Sequence, residues 1–392
     1  MKAHTYRFGW LLGAALGLTG CSSVGDTVGG WFGGSSDGTR EPAELTKIDN
    51  AFTPTQRWSL RIGNGTDEAV MQLRPALAQG RIVVAAEDGT IAAVDASGTL
   101  LWQVRAEQTV TTGPGASKDL VTVATADGKL LALEASDGKL RWKADLSSIA
   151  LAPALVTDSM VVVRTLDGRT QALSVQDGTR RWIDDRSVPV LSVHGYGSPV
   201  LDQDQVLLGL DNGRVVALGL EDGRERWNHT VAPARGRTEV ERMVDVDAMP
   251  QVFGDVVHAV SYQGNLALLR RDSGESLWKR EFSSLAGIDV VGNLLVAVDT
   301  ESQVFAFARD TGTALWKQDA LLHRALSRPQ IVGRSLVVAD FEGWVHWLDL
   351  QDGSIQARVR AADGALAAEP VQFGDSLVLY GHKGTLQALR AR

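Results

Sequence analysis

A phrase of sixteen residues, DGKLLALEASDGKLRW at 127–142, returns at 167–182 as DGRTQALSVQDGTRRW, and its skeleton recurs along most of the chain. Aligned on the closing tryptophan, the copies end at Trp102, Trp142, Trp182, Trp227, Trp278 and Trp316. A glycine stands four residues before each: Gly98, Gly138, Gly178, Gly223, Gly274 and Gly312. A second turn position lies thirteen or fourteen residues before, at Gly89, Gly128, Gly168, Gly213, Gly264 and Ser302. A seventh copy keeps Gly343 and Gly353 but has Ala357 in place of the tryptophan, and an eighth opens at Gly384 shortly before the chain ends. Self-similarity of this kind constrains the fold more than any local motif, because a unit this small cannot bury its apolar face without its neighbours.

Within each copy the residues between the two turns alternate, as in KLLALEA and NLALLRR. A β-branched run precedes the first turn, as in RIVVAAED, MVVVRTLD and SLVVADFE. Asp-Gly and Asn-Gly pairs between such runs are hairpin turns, whose geometry requires positive φ. A further short strand upstream, as in PALVTD or RPQIVG, makes four. The unit is a four-stranded antiparallel meander, and its turn residues are scaffold.

Successive tryptophans are 38 to 51 residues apart, the period of a β-propeller blade. A closing tryptophan for the eighth copy would fall beyond Arg392, yet TQRWSLRIG near the start carries Trp58 with no preceding turns. The chain is therefore expected to be all-β: an eight-bladed propeller of four-stranded antiparallel blades over 53–392, closed by the N-terminal strand. Trp58, Trp102, Trp142, Trp182, Trp227, Trp278 and Trp316 are the expected clasps between blades. One indole ring brings ~150–250 Å² of surface, an upper estimate of roughly 4–6 kcal/mol if fully buried.

The chain starts with Lys2 and Arg7 and runs apolar from Phe8 to Leu18, too short to span a bilayer as a helix. This describes a secretory signal over 1–20. The exit Leu18-Thr19-Gly20-Cys21 resembles the bacterial lipobox, and Cys21 is the chain's one cysteine. The resemblance implies lipidation at Cys21, and several acyl chains anchor a protein without a transmembrane helix. Ser22 stands where lipoproteins retained in the inner membrane often carry Asp, which points to the outer membrane and its periplasmic face. Residues 21–52, with VGGWFGGSSDG near their centre, read as a flexible tether.

Two spacings are long, and the extra residues lie in SVPVLSVHGYGSP (187–199) and APARGRTEVERMVDVDAMP (232–250). Both join one blade to the next, so both emerge on one face, where repeat proteins place their function. Leu191, Val193, His194, Arg242, Asp245 and Asp247 combine apolar anchors with opposite charges, a mixture that suits a protein interface better than a reaction centre. Asp245 and Asp247 supply few of the six to eight oxygens calcium takes, and His194 has no Cys or His at metal-ligand spacing. No metal or other cofactor is expected, and no phosphate loop or nucleophile motif stands out. The formal net charge of −8 and the absence of a basic stripe argue against a nucleic-acid partner.

The ALxxxDGxxxW phrase resembles the tryptophan-docking repeat of the pyrroloquinoline-quinone (PQQ) dehydrogenase propellers. With the lipobox, the bare blades and the DVDAMP insertion, the mature chain resembles the BamB family, lipoprotein subunits of the bacterial outer-membrane β-barrel assembly machinery. That resemblance implies a non-enzymatic scaffold. Its partners would be the POTRA domains of the barrel subunit BamA, other Bam subunits and unfolded outer-membrane protein clients. It also carries the docking patch onto Leu191, Val193, Arg242, Asp245 and Asp247, with His194 where an arginine is expected. Two other readings stand beside it. A PQQ- and calcium-dependent dehydrogenase would need a carboxylate-amide cluster and longer inserted loops. A carbohydrate binder would use Trp344 and Trp347 as stacking platforms, although packing suits those two better.

Overall fold

The computed structural model describes residues 40–66, 73–193, 197–366 and 368–390. Cys21, the tether before residue 40 and His194 lie outside the described residues. Within Glu41–Arg392 the strands form eight four-stranded antiparallel sheets. Blade 1 is β2 (Ala76–Ala78), β3 (Arg81–Ala85), β4 (Thr90–Val94) and β5 (Leu100–Arg105). The same order repeats to blade 7, β26 (Gln330–Val332), β27 (Ser335–Ala339), β28 (Trp344–Asp349) and β29 (Ile355–Arg360). Blade 8 takes three strands from the C-terminal end, β30 (Val371–Phe373), β31 (Ser376–Tyr380) and β32 (Thr385–Arg390), and its outer strand β1 (Thr55–Arg61) from the other end. The propeller closed by the N-terminal strand is the architecture expected from the repeat.

Register shows that β1 is a true fourth strand. In each blade the outer strand carries a bulge one residue before its key position: Leu101 before Trp102, Arg181 before Trp182 and Arg57 before Trp58. The bulge sharpens the twist and sets the tryptophan opposite a small third-strand residue in most blades, as in Trp102 opposite Ala93, Trp142 opposite Ala132 and Trp58 opposite Ala388.

From there each indole reaches the next blade. The Nε1–H groups of Trp58, Trp102, Trp142, Trp182, Trp227, Trp278 and Trp316 donate to the carbonyls of Ala96, Ala135, Val175, Leu220, Arg271, Arg309 and Leu350, at 2.8 to 3.0 Å. Each ring lies flat on the glycine of that neighbour's last turn. A Cβ on Gly223, whose φ is +66°, would sit 2.6 Å from the Trp182 ring. Glycine is needed there twice, for the left-handed backbone and for the close approach.

The seam between blades 7 and 8 is built differently. β32 and β1 come from opposite parts of the sequence, so no hairpin joins them, and among the described residues no turn between the third and fourth strands of blade 8 receives an indole. Ala357 holds the outer position, and the tryptophan appears as Trp347 directly opposite it on the third strand. Trp347 is wholly buried, and its Nε1 has no hydrogen-bond partner among the described residues. Phe52 packs edge-on against it, ring centroids 6.2 Å apart.

Phe52 ends an extended strap that runs along the outer side of blades 6 and 7. The Ala43 N–H donates to Leu322 O and the Ala51 N–H to Gln356 O, and Leu45 packs on the apolar core beneath. The Asn50 amide brackets Arg358, its Oδ1 accepting from the Arg358 N–H (3.0 Å) and its Nδ2 donating to the Arg358 carbonyl (3.2 Å). Arg324 and Arg358 donate to the carbonyls of Ala43 and Thr46. The closing residues of the segment read as a tether are therefore bound along the propeller.

Candidate functional site

In a meander of four strands, the blade-to-blade connections and the turn between strands two and three share one face. The tryptophan clasps lie toward the other. Main-chain bonds agree: Arg186 N–H donates to Gly168 O, and Val231 and Ala232 N–H donate to Gly213 O. Both long insertions thus stand on the loop face, over blades 3 to 5.

The first insertion leaves β13 (Arg180–Asp185) at Arg186, which is ion-paired to Asp184 and, across the blade boundary, to Glu225 at 2.9 Å. Ser187 to Leu191 are exposed, with Val190 88% accessible and Leu191 43%. Val193 is half-buried. The second insertion has two halves of opposite character. Residues 233–242 are exposed, and Thr238 and Glu241 form a capping box around one turn. The Glu241 carboxylate accepts from the Arg237 and Thr238 N–H groups, and the Thr238 hydroxyl accepts from the Glu241 N–H. Arg242 ends this half, over half exposed and 3.5 Å from Glu239.

The other half, Val244 to Ala248, is buried. Val246 joins the apolar core between blades 4 and 5, and Ala248 that between blades 5 and 6. Val246 N–H donates to Leu210 O, and Tyr262 N–H donates to Asp245 O. Close approach makes this possible: a Cβ on Gly209 would lie 2.2 Å from the Val246 carbonyl oxygen. Asp245 and Asp247 are consequently 0% and 8% exposed, and do not stand on the surface beside Leu191 and Arg242. The structure differs here from the polarity of the sequence, because the V-D-V-D alternation is buried on both sides.

Asp245 joins the two insertions. Its Oδ2 accepts from the Val193 N–H, and the Ser192 side chain also hydrogen-bonds its carboxyl group. Burial pushes the Asp245 carboxyl up to about 6, opposed by those bonds. Burial, then the neighbouring Asp245 charge, pushes Asp247 well above the usual carboxylate range. Below them Arg164 donates to Gly209 O (2.8 Å) and to Asp211 (2.7 Å). Sequence reasoning missed Arg164, since nothing local marks a blade-3 arginine as the counter-charge for a blade-5 connection.

The blade connections line an open cavity of about 390 Å³, bordered among others by Asp247, Met249, Leu326 and Phe341. In it Arg74 and Arg328 flank Glu369 at 3.1 and 4.0 Å and Arg328 also donates to Ile288 O, whereas the Asp247 carboxyl oxygens have no hydrogen-bond partner among the described residues. Among the described residues no group of three or more His, Cys, Asp or Glu is placed to hold a metal. Trp344 is half-buried and Trp347 wholly buried.

Blades of this kind, clasped by tryptophan and carrying two interlocked insertions on one face, define an eight-bladed propeller of the PQQ-like repeat class. Residues 38–109 and 87–318 match the family model described as "Outer membrane protein assembly factor BamB". The chain is 34% identical over 389 residues to the protein of that name from Xanthomonas campestris, covering 96% of this chain and 95% of the relative. The crystal structure of BamB from Moraxella catarrhalis is 30% identical with a TM-score of 0.80, covering 86% of this chain and all of that one. A quinohemoprotein alcohol dehydrogenase from Comamonas testosteroni shares the fold alone, at 13% identity and a TM-score of 0.70 over 89% of this chain and 79% of that one. The chain belongs to the BamB family.

Proposed function

We propose that this protein is a non-enzymatic scaffold subunit of the outer-membrane β-barrel assembly complex. In this reading it is anchored through lipidated Cys21 to the outer membrane on the periplasmic face. It docks on the POTRA domains of BamA and aids assembly and insertion of barrel proteins. Kinship with relatives named as outer membrane protein assembly factors supports the complex, and the loop face supports the docking. The observation that carries it is the exposure of Val190 and Leu191 on one insertion and of Arg242 on the other, both on one face. Exposed apolar side chains rimmed by charge mark protein–protein contact surfaces. In this reading Leu191, Val193 and Arg242 belong to the docking patch, while the buried Asp245 and Asp247 do not reach its surface.

The test is purification of the tagged, lipidated protein in mild detergent with mass spectrometry of what co-elutes. BamA is expected with the wild type and is expected to be lost from Leu191→Asp with Arg242→Glu. Substitutions at these exposed positions leave the blades intact, so the β circular dichroism signal stays unchanged. Equal recovery of BamA with both proteins would remove the patch. Absence of any barrel protein from the wild-type eluate would remove the assembly role.

A further inference from the structure

The strap crosses the ring from one face to the other. β1 begins at Thr55, paired with Arg390 at the end of the third strand of blade 8. Third strands run from the loop face to the face of the tryptophan clasps. A chain departing straight from Thr55 would therefore leave on the clasp face, opposite the two insertions. Instead it meets Gln356 through Ala51, Arg358 through Asn50 and Thr46, and then Leu322 and Arg324 through Ala43. β29 ends on the loop face, where the Ala361 N–H donates to Gly343 O in the turn between strands two and three. Leu322 and Arg324 lie on that face too, in the connection from blade 6 to blade 7. The strap thus climbs the outer side of blade 7, about 20 Å for a strand as long as β29. Phe52 pins it at Trp347, and Leu45 packs on the core higher up.

We propose that the strap redirects the membrane tether, taking it off the clasp face and releasing it on the loop face, so that the surface carrying Val190, Leu191 and Arg242 is held toward the bilayer. The proposal rests on the anchored, docking reading above. Nineteen residues, 22–40, separate the lipid site from the bound strap. A Gly- and Ser-rich chain of that length has a root-mean-square reach of roughly 25 Å, close to the climb itself. With so short a tether, the exit point decides which face meets the membrane. Without the strap the tether would be 22–54, thirty-three residues with a reach of roughly 30 Å, and it would start from the opposite face. Holding the loop face at the bilayer raises its effective concentration toward membrane-embedded partners.

Lys383, in the turn between strands two and three of blade 8, and Arg334, in the turn between strands one and two of blade 7, are exposed on opposite faces of neighbouring blades. Lys383→Cys and Arg334→Cys each remove one cation and add the only free thiol, since Cys21 is taken by the anchor. Full-length lipidated protein, labelled at one site or the other, is reconstituted in phosphatidylethanolamine–phosphatidylglycerol vesicles with acceptors on the headgroups, and energy transfer is measured. The loop-face label is expected to transfer at least about twofold better than the clasp-face label. Leu45→Asp with Asn50→Ala, or Gly-Ser replacement of 43–50 at equal length, releases the strap and is expected to bring the ratio to about one or below with an unchanged β signal. Adding fourteen Gly-Ser residues to the tether, the length of 41–54, with the strap intact is expected to lower both transfers and keep their order. Equal transfer from both labels in the wild type, or a ratio unmoved by the Gly-Ser replacement, overturns the redirection and leaves the anchor standing. Protein without acyl chains by mass spectrometry, and without vesicle binding, removes the anchor reading itself and the redirection with it.

Discussion

Seven of the eight seams in this ring are made one way and the eighth another. In the seven, an outer-strand tryptophan lies on a glycine of the next blade and gives its N–H to a turn carbonyl. In the eighth, the tryptophan stands on the third strand, alanine takes the outer position, and Phe52 with its strap covers the joint. The difference follows from covalent connectivity. A clasp needs the hairpin between strands three and four, and in blade 8 those strands, β32 and β1, are distant in sequence and no hairpin joins them. A ring closed by strand pairing lacks a docking turn at that seam, and this chain covers it with residues from beyond the closing strand.

The largest effect that follows is at an ordinary seam. Trp182→Ala should cost about 3–5 kcal/mol, the range for truncating a buried aromatic, because the ring is 8% exposed and its N–H is satisfied at Leu220. Chemical denaturation followed by circular dichroism measures it. A loss under 1 kcal/mol would mean that the seams are held by the inner strands alone.

The converse substitution sharpens the contrast. Ala357→Trp restores the repeat on paper, yet Ala357 is wholly buried opposite Trp347 and faces no glycine turn. Overpacking there should cost about 1–3 kcal/mol, where the repeat pattern taken alone would forecast a gain. A rise in the denaturation midpoint would show that blade 8 offers a clasp site after all.

These two substitutions also mark how far the sequence could be read. Turns, alternation and the clasp are local, so the repeat reports them directly, and Trp58, on a strand with no turns before it, fits the eighth copy that lacks its closing tryptophan. The gap at Ala357 was equally visible. Closure by the strand carrying Trp58 already implies that blade 8 has no hairpin between its third and fourth strands; what the pattern does not announce is that Trp347 and Phe52 fill the joint instead. The strap was hidden for another reason. The tether reading over 21–52 rests on its Gly, Ser and Asp content around VGGWFGGSSDG, but EPAELTKIDNAF at 41–52 contains no glycine and offers Leu45 and Phe52 for burial. The two insertions split the same way. Leu191 and Arg242 lie on the surface as their spacing implied, while Asp245 and Asp247 are covered through the approach of Gly197 and Gly209, which no local pattern announces.

The strap itself should show smaller, graded effects. Phe52 is half-buried, so Phe52→Ala removes about half of an aromatic's surface, about 2 kcal/mol. Asn50→Ala removes the two bonds to Arg358 at an exposed site, for about 1 kcal/mol. Limited proteolysis between residues 43 and 52, compared with a site in blade 3, would show whether the strap loosens while the blades hold. Equal cleavage of both regions would make strap and ring one cooperative unit and erase the distinction between the seams.

The finest difference lies in acid. Each tryptophan clasp is an indole on a carbonyl, and neither group titrates. The strap instead leans on a buried chain: Arg358 Nε donates to His346 Nδ1 (3.0 Å), His346 Nε2 faces Asp340 (3.1 Å), and Asp340 accepts from Arg324, which also pairs with Glu342. The bond from Arg358 requires an unprotonated Nδ1, so His346 carries its proton on Nε2 and is neutral. Burial, chiefly, holds its pKa below the usual 6.5, with Arg358 and Arg324 adding to the effect and Asp340 opposing it. For a histidine whose folded pKa is depressed, the unfolded state takes up the proton first. The stabilisation is complete above about 6.5 and declines as pH falls from there toward the folded value. His258, lowered to about 4 by burial, makes the whole ring lose stability in the same direction, so the test must be local. At pH 5, hydrogen exchange in the peptide spanning 43–52 should accelerate relative to the peptide containing Trp182, each normalised to its intrinsic rate, with the ratio returning to its neutral value at pH 7.5. A ratio independent of pH would mean that His346 supports the seam by packing alone.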